Sequence, residues 1–323
     1  MPFTQMDLIH FITMTVRSDP ENLLQIGRDD AAAKMLKEGI YIFKSDMVTE
    51  SADLLPGMTL RDLARKCVVN NISDLASKGA YPVAFLASIG LPKGIDMSSA
   101  KEIIFGLEDG VREYGTHLVG GDISMAKEVM IDGSAIGRVH KSLIARSGAQ
   151  PGHDVYVTGE FGLTWLGYKI LLDGMDVDEP FRQKALSSVY RPNAQLKQGL
   201  LLSEIGRISS STDSSDGLYW SLRYIAESSN VGILVEEIPI SRELADFLAS
   251  RGIDCSEAAF YGGEEFNLVF TAPHEERKEI EDKFMENKFF LKRIGKVISK
   301  RGVFLRKGDK TVELSEKGWI HSF

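Results

Sequence analysis

A chain of 323 residues with 43% hydrophobic residues and a formal net charge of −8 reads as globular and long enough for two domains of ordinary size. The acidic balance argues against a nucleic-acid surface, and it repels a phosphorylated ligand unless divalent cations or local Lys and Arg receive it. Cys67 and Cys255 are the only cysteines, which excludes a thiolate zinc site; with no stretch of membrane-spanning length and no basic leader, a reduced, cytoplasmic protein is expected.

Residues 5–17 read as a short amphipathic helix, and SDPENLLQIGRDDAAA then carries Asp29 and Asp30 behind a Gly turn. IYIFKSD alternates apolar and polar residues as a half-buried strand ending at Ser45 and Asp46, with TESADLLPG as the loop after it. In TLRDLARKCVVNNISDLASKGA, the residues Leu60, Leu63, Ala64, Cys67, Val68, Ile72 and Leu75 share one apolar face of a helix opened by Thr59 and closed near Gly79. Asn70, Asn71 and Asp74 fall beside or within that stripe. The helix brings no Lys or Arg to Asp74 within a turn, so its carboxylate calls for a metal ion, a water or a neighbouring amide.

VAFLASIGL reads as a buried strand, and Ser98 or Ser99 as the cap of a helix whose Ile103, Ile104, Leu107 and Val111 mark one face. THLVGGDIS supplies a strand, two glycines and Asp122, a pattern that serves either a plain turn or a close approach to phosphate or metal. EVMIDGSAIGRVH returns to strand alternation. The Gly-, Pro- and Ser-rich RSGAQPGHD marks a domain boundary, giving domains 1–148 and 149–323.

The second half opens with the strand DVYVTG, and GEFGLTWLGYKILL is a glycine-studded helix start that suits phosphate but matches neither GxxxxGK followed by Ser or Thr nor GxGxxG. RPNAQLKQGLLLSEI is a helix. In STDSSDGLYWSLRYIAE, Asp213 and Asp216 flank Ser215 at the start of a helix with Leu218, Leu222, Ile225 and Ala226 as its core edge, where carboxylates act as caps or as ligands. VGILVEEIPI is a strand, SRELADFLASRG a helix, and YGGEEFNLVFTAP a Gly-Gly turn with Glu264 and Glu265 before a strand. HEERKEIEDKFMENKFF reads as a solvated helix, and short strands from Phe289 to Leu314 close the fold.

The six His residues, at 10, 117, 140, 153, 274 and 321, show no HxxxH or HExxH spacing, and no GxSxG elbow is present. Of Asp30, Asp46, Asp74, Asp122, Asp213, Asp216 and Glu264, most instead sit at a strand end, a Gly turn or a helix start. Oxygen donors without convergent His or Cys select hard cations, Mg²⁺ above all. Phosphoryl transfer between two anions needs charge neutralisation and alignment more than covalent chemistry. A phosphate acceptor is already largely ionised near neutral pH, its second pKa being about 6, so no general base is needed. The absence of a catalytic His or Ser therefore fits phosphate-to-phosphate transfer better than it fits an alcohol kinase.

The segments IGRDDAA, SDMV, NNISDLASKGAYP, VGGDIS, RSGAQPGHDVYVTG, DSSDGL, YGGEEFNLVFTAP and KGWIHSF, in this order, resemble the thiamine-monophosphate kinase family, of the superfamily that includes aminoimidazole ribonucleotide (AIR) synthetase and selenophosphate synthetase. The resemblance implies an α/β fold of the α+β type: two α/β domains, the N-terminal one forming a dimeric β-barrel interface and binding ATP and Mg²⁺, the C-terminal one sandwich-like. It implies an ATP-dependent kinase that makes thiamine diphosphate from thiamine monophosphate by direct in-line transfer, working as a homodimer without nucleic acid or membrane. Metal ligands would fall on Asp30, Ser45, Asp46, Asp74, Asp122, Asp213 and Asp216, of which Asp74, Asp122, Asp213 and Asp216 would be catalytic. ATP would meet Gly121, Asp122, Arg146 and Ser215, with Phe105 near the base. Glu264 and Trp319 would face the thiamine moiety, where an indole and a carboxylate suit a cationic heterocycle. Two departures stand out: Asp53 occupies the place of a family His near the substrate, and Arg28 interrupts the usual Gly-Asp-Asp. The alternatives are a sister synthetase or kinase with another acceptor, disfavoured because its cysteines and the Gly-Val-Gly-Thr-Lys stretch are missing, and a catalytically silent nucleotide- or thiamine-binding protein, disfavoured by six retained aspartates.

Overall fold

The N-terminal helix α1 (Gln5–Thr15) starts on a capping box in which the Thr4 hydroxyl accepts from the Asp7 N–H and the Asp7 carboxylate accepts from the Thr4 N–H. The structure, a computed structural model, describes residues 3–24, 26 and 31–317. Two units divide the chain, one holding the described residues up to Leu75 with Ala80–Val139 and the other Ala76–Gly79 with the described residues from His140 on. Both mix helix and strand, as expected. No helix among the described residues is long and apolar enough to cross a membrane.

In the first unit α1 is followed by β1 (Tyr41–Thr49), α2 (Glu50–Asp53), α3 (Leu60–Ser77), β2 (Ala80–Pro92), α4 (Met97–Glu113), β3 (Leu118–Ala126) and β4 (Met130–Val139). The four strands make an open sheet in the order β1-β4-β2-β3, with β2 and β3 parallel across the α4 crossover and the other pairs antiparallel. Cys67 and Asn71 of α3 reach the carbonyl of Asp46 on β1, which fastens the helix beneath that strand. The apolar stripe read from the sequence is buried from Leu63 to Leu75, but α3 is enclosed on its other sides too: Arg65 is buried and pairs with Glu113 of α4 at 2.8 Å.

Four sequence readings change here. The β1 ladder runs on from Tyr41 opposite Arg138 to Thr49 opposite Met130, so Ser45 and Asp46 are mid-strand and not at a strand end. The TESADLLPG loop contains the short helix α2, closed by Asp53 Oδ2, which accepts from Thr49 N–H at 2.8 Å. The cap of α4 is Asp96, whose carboxylate takes the Ser99 N–H at 2.9 Å and leaves both serines inside the first turn. The Gly-Gly-Asp segment does not turn: β3 passes straight through it.

The second unit contains β5 (Asp154–Val157), α5 (Leu163–Asp173), α6 (Phe181–Tyr190), α7 (Leu196–Ile205), β6 (Ser210–Asp213), α8 (Leu218–Ser229), β7 (Gly232–Val235), α9 (Arg242–Ser250), α10 (Cys255–Tyr261), β8 (Leu268–Ala272), α11 (Arg277–Glu286), β9 (Lys292–Ile298), β10 (Gly302–Lys307) and β11 (Lys310–Glu313). Its seven strands form one sheet in the order β11-β10-β7-β9-β5-β8-β6, parallel only between β10 and β7. Strand alternation divides the core by face. Val155, Val157 and Val269 pack with Leu218, Leu222 and Phe260 of α8 and α10, while Tyr156, Leu268 and Phe270 pack with Leu202, Ile280 and Phe284 of α7 and α11. The result is a sheet sandwiched between helices.

One buried acid organises the far edge of this core. Asp154, at the start of β5, is almost fully buried and meets Arg293 at 2.6 Å, Arg277 at 2.8 Å and His274 at 2.9 Å. Burial alone would raise its pKa, but the two guanidiniums and the imidazole outweigh it and hold the carboxyl below its usual value. The HEERKEIEDKFMENKFF segment is therefore more than solvated surface: His274 and Arg277 anchor Asp154, and Ile280 and Phe284 enter the core.

Candidate active site

In the first unit the acid that α3 could not neutralise meets its partner on β1. Lys44 Nζ lies 2.8 Å from Asp74 Oδ2 and 3.2 Å from Asp46 Oδ2, so one ammonium joins a strand carboxylate and a helix carboxylate. Burial would lower the pKa of Lys44, but Asp74 and then Asp46 outweigh it and keep the ammonium above the ordinary lysine value. Lys44 lies on another element from Asp74 and its sequence signal is the two-residue spacing from Asp46, which puts both on one face of a strand.

The neighbouring candidates fall differently. Ser45 points away from its neighbours on β1, its Oγ donating to Asp132 Oδ1 at 2.8 Å and lying 3.1 Å from Ser134 Oγ. Asp122 is exposed on the edge strand β3, opposite Ser88 of β2. Gly121 before it has φ +151°, and a Cβ there would come 1.8 Å from Ala87 O, so β2 and β3 pair at this point only with glycine. Asp53 is engaged in closing α2. Phe105 lies edge-on to Phe11 at 5.5 Å, with the Arg61 guanidinium 5.5 Å above its ring. Asp30 and Trp319 lie outside the described residues.

In the second unit two loops carry the remaining candidates and are tied together by their backbones. Glu264 N–H donates to Ser215 O at 2.7 Å and Phe266 N–H to Ser214 O at 3.0 Å, so the Asp213–Gly217 turn and the Gly-Gly-Glu-Glu loop are joined. The contact requires glycine at 217, which has φ +95° and whose Cβ would come 2.0 Å from Gly262 O. Glu264 and Phe266 both have positive φ, 61° and 52°, uncommon for residues with side chains. Asp213 ends β6, and Asp216 Oδ2 is 3.5 Å from the Tyr224 hydroxyl. Burial first, and the Asp216 charge second, raise the Tyr224 pKa, and exposed Arg146 lies 5.0 Å over that ring. Arg146, Tyr224 and Asp216 thus form one contiguous row.

Two residues beside Glu264 were not anticipated. The Tyr168 hydroxyl of α5 donates to Glu264 Oε2, fixing that carboxylate. Glu265 Oε1 accepts the Gly162 N–H at the start of α5 at 2.7 Å, so a carboxyl group of the chain itself occupies this glycine-rich helix N-terminus. Its Oε2 is sealed from solvent without a hydrogen bond, and burial pushes the Glu265 pKa up to about 8.

Among the described residues no three His, Cys, Asp or Glu side chains gather closely enough to hold a metal ion. The donor chemistry nevertheless suits a cation: Asp46 and Asp74 close from two elements on a single positive charge, which Lys44 supplies.

Comparison with known proteins assigns both halves of the chain. Residues 27–139 match the AIR synthase related protein N-terminal domain and residues 150–308 the AIR synthase related protein C-terminal domain. Thiamine-monophosphate kinase of Pyrococcus horikoshii is 36% identical over 295 residues, covering 91% of this chain and 90% of that one. The kinase of the same name from Nitrosopumilus maritimus is 32% identical over 293 residues, covering 91% and 92%. Among solved structures, AaThiL complexed with AMPPCP and TMP is similar with a TM-score of 0.76 at 26% identity, covering 87% of each chain.

Proposed function

The chain belongs to the AIR synthase related family and, within it, to the thiamine-monophosphate kinases, and on that premise we propose that it transfers the γ-phosphoryl group of ATP directly to the phosphate of thiamine monophosphate. The observation that carries this reading is the closure of Asp46 and Asp74 on one cation, in a chain whose structural relative holds AMPPCP and TMP. Asp30, Ser45, Asp46, Asp74, Asp122, Asp213 and Asp216 would supply oxygen ligands to Mg²⁺, and Asp74, Asp122, Asp213 and Asp216 would act in catalysis. Bound Mg²⁺ would supply the neutralisation that lets two phosphates approach.

The remaining steps belong to the chain's own groups. Gly121, whose lack of a side chain lets β3 pair with β2 beside Asp122, would meet the nucleotide through its backbone; Arg146 and Ser215 are exposed and would take phosphate oxygens; the Phe105 ring would lie by the adenine. Glu264, held by Tyr168, would balance the thiazolium charge, with Trp319 stacking on the ring system and Asp53 standing where relatives place a His. The acceptor phosphate enters already ionised, so no side chain has to remove a proton.

The proposed division gives residues 1–148 nucleotide and metal binding and dimerisation, and residues 149–323 the second AIR-synthetase-like domain. Dimerisation is supported by β1, an edge strand whose outer face bears Phe43 and Met47, 71% and 51% exposed, a surface suited to completing a barrel with a second copy. A cytoplasmic setting accords with two free cysteines. Incubating the protein with Mg-ATP and thiamine monophosphate tests the reaction: thiamine diphosphate and ADP should form in equal amounts, and product only with another phosphate acceptor would reassign the substrate.

A further inference from the structure

The kinase reaction does not explain the place of Lys44 in the first unit. β1 is already held to β4 by its ladder and to α3 by Cys67 and Asn71, so the strand does not need Lys44 to fix it. An ammonium offers three donors and no acceptor; it cannot bind a hard cation, and it occupies the point to which both carboxylates turn. With Lys44 present the trio carries one net negative charge; without it the two carboxylates carry two.

Resting on the Mg²⁺ assignment of Asp46 and Asp74, we propose that Lys44 is a built-in competitor for one divalent cation: it holds the Asp46–Asp74 pair together in the metal-free protein and is displaced when the cation binds. The consequence is a lasting discount on metal affinity. A divalent ion arriving at the pair breaks two ion pairs, at 2.8 and 3.2 Å, that Lys44 forms with a side chain only 31% exposed. In exchange the pair is assembled before metal arrives, so the carboxylates do not repel each other apart in the resting protein.

The test is calorimetric titration of Mn²⁺, without nucleotide, into the full-length wild type and the K44M, K44Q and K44R variants. Because two partly exposed ion pairs no longer have to be broken, K44M and K44Q should bind Mn²⁺ about five- to thirtyfold more tightly, and K44R should bind like wild type. Adding Asp74→Asn to K44M should abolish the gain. The metal-free melting temperature of K44M should fall below that of wild type, and its rise on adding Mn²⁺ should be the larger. Mn²⁺ binding by K44M and K44Q that is equal to or weaker than wild type, or no Asp74-dependent binding in any form, overturns the proposal. Assaying the same preparations separates the two readings: thiamine diphosphate formation with unaltered K44M affinity overturns the role of Lys44 alone. Tighter K44M binding in a protein that makes no thiamine diphosphate overturns the kinase reading alone.

Discussion

Glu265→Gln should make the second unit more stable at alkaline pH and leave it almost unchanged at pH 5. In the native protein Glu265 is raised from 4.5 to about 8, first because burial disfavours its charge, with the Gly162 N–H opposing. The folded state therefore keeps a proton that the unfolded state has lost, from about pH 4.5 up to about 8, and stability falls as pH rises across that window. At roughly 1.4 kcal/mol per unit, ionising this carboxyl costs on the order of 5 kcal/mol by the time the pH has passed the folded value. Glutamine keeps an acceptor for Gly162 N–H and never ionises. Thermal unfolding from pH 5 to 9 should show wild type and variant melting together at the acid end and diverging by about 10 °C at the alkaline end. A difference that does not change with pH would refute the placement of Glu265 in a sealed site at the start of α5.

Asp74→Asn and Asp216→Asn should each cost at least about a hundredfold in turnover, with the circular dichroism spectrum retained, since each removes negative charge from a proposed metal ligand; full activity in both rejects the ligand assignment. Asp154→Ala should destabilise the protein by roughly 1–3 kcal/mol, because Arg277 and Arg293 lose a buried acceptor while staying partly solvated and Arg293 keeps Glu236, measured as a lower denaturant midpoint. The lowered Asp154 pKa also has a sign: its contribution is complete above the unfolded value of 3.8 and disappears as the pH falls through the depressed folded value. Acid unfolding of Asp154→Asn should lack that component, and an unchanged acid limb would show that Asp154 does not carry it.

The fold was legible where periodicity is strong. The α3 stripe, the β4 alternation and the core edge of α8 all appear as read, because burial of one face fixes both the element and its register. Boundaries were less legible wherever a polar residue serves the backbone. Asp53 and Asp96 turned out to be closing α2 and capping α4, jobs that depend on which N–H lies within reach. The longer misses are all non-local. Lys44 finds Asp74 across 30 positions of sequence, Tyr168 finds Glu264 across 96 and Glu265 finds Gly162 across 103, and no window along one element contains such pairs. What the sequence did carry was the family: the segments NNISDLASKGAYP, VGGDIS, DSSDGL and YGGEEFNLVFTAP lie within the two AIR synthase related domains that the chain matches.

The most direct measurement is a single-turnover reaction with γ-³²P-ATP, Mg²⁺ and unlabelled thiamine monophosphate, quenched over time. The label should pass to the terminal phosphate of thiamine diphosphate at the rate ADP appears, with none on the protein at any time, and should stop passing when Mg²⁺ is chelated. Label that accumulates on the protein, or that moves at full rate without a divalent cation, would contradict aspartate-held metal aligning two phosphates for direct transfer.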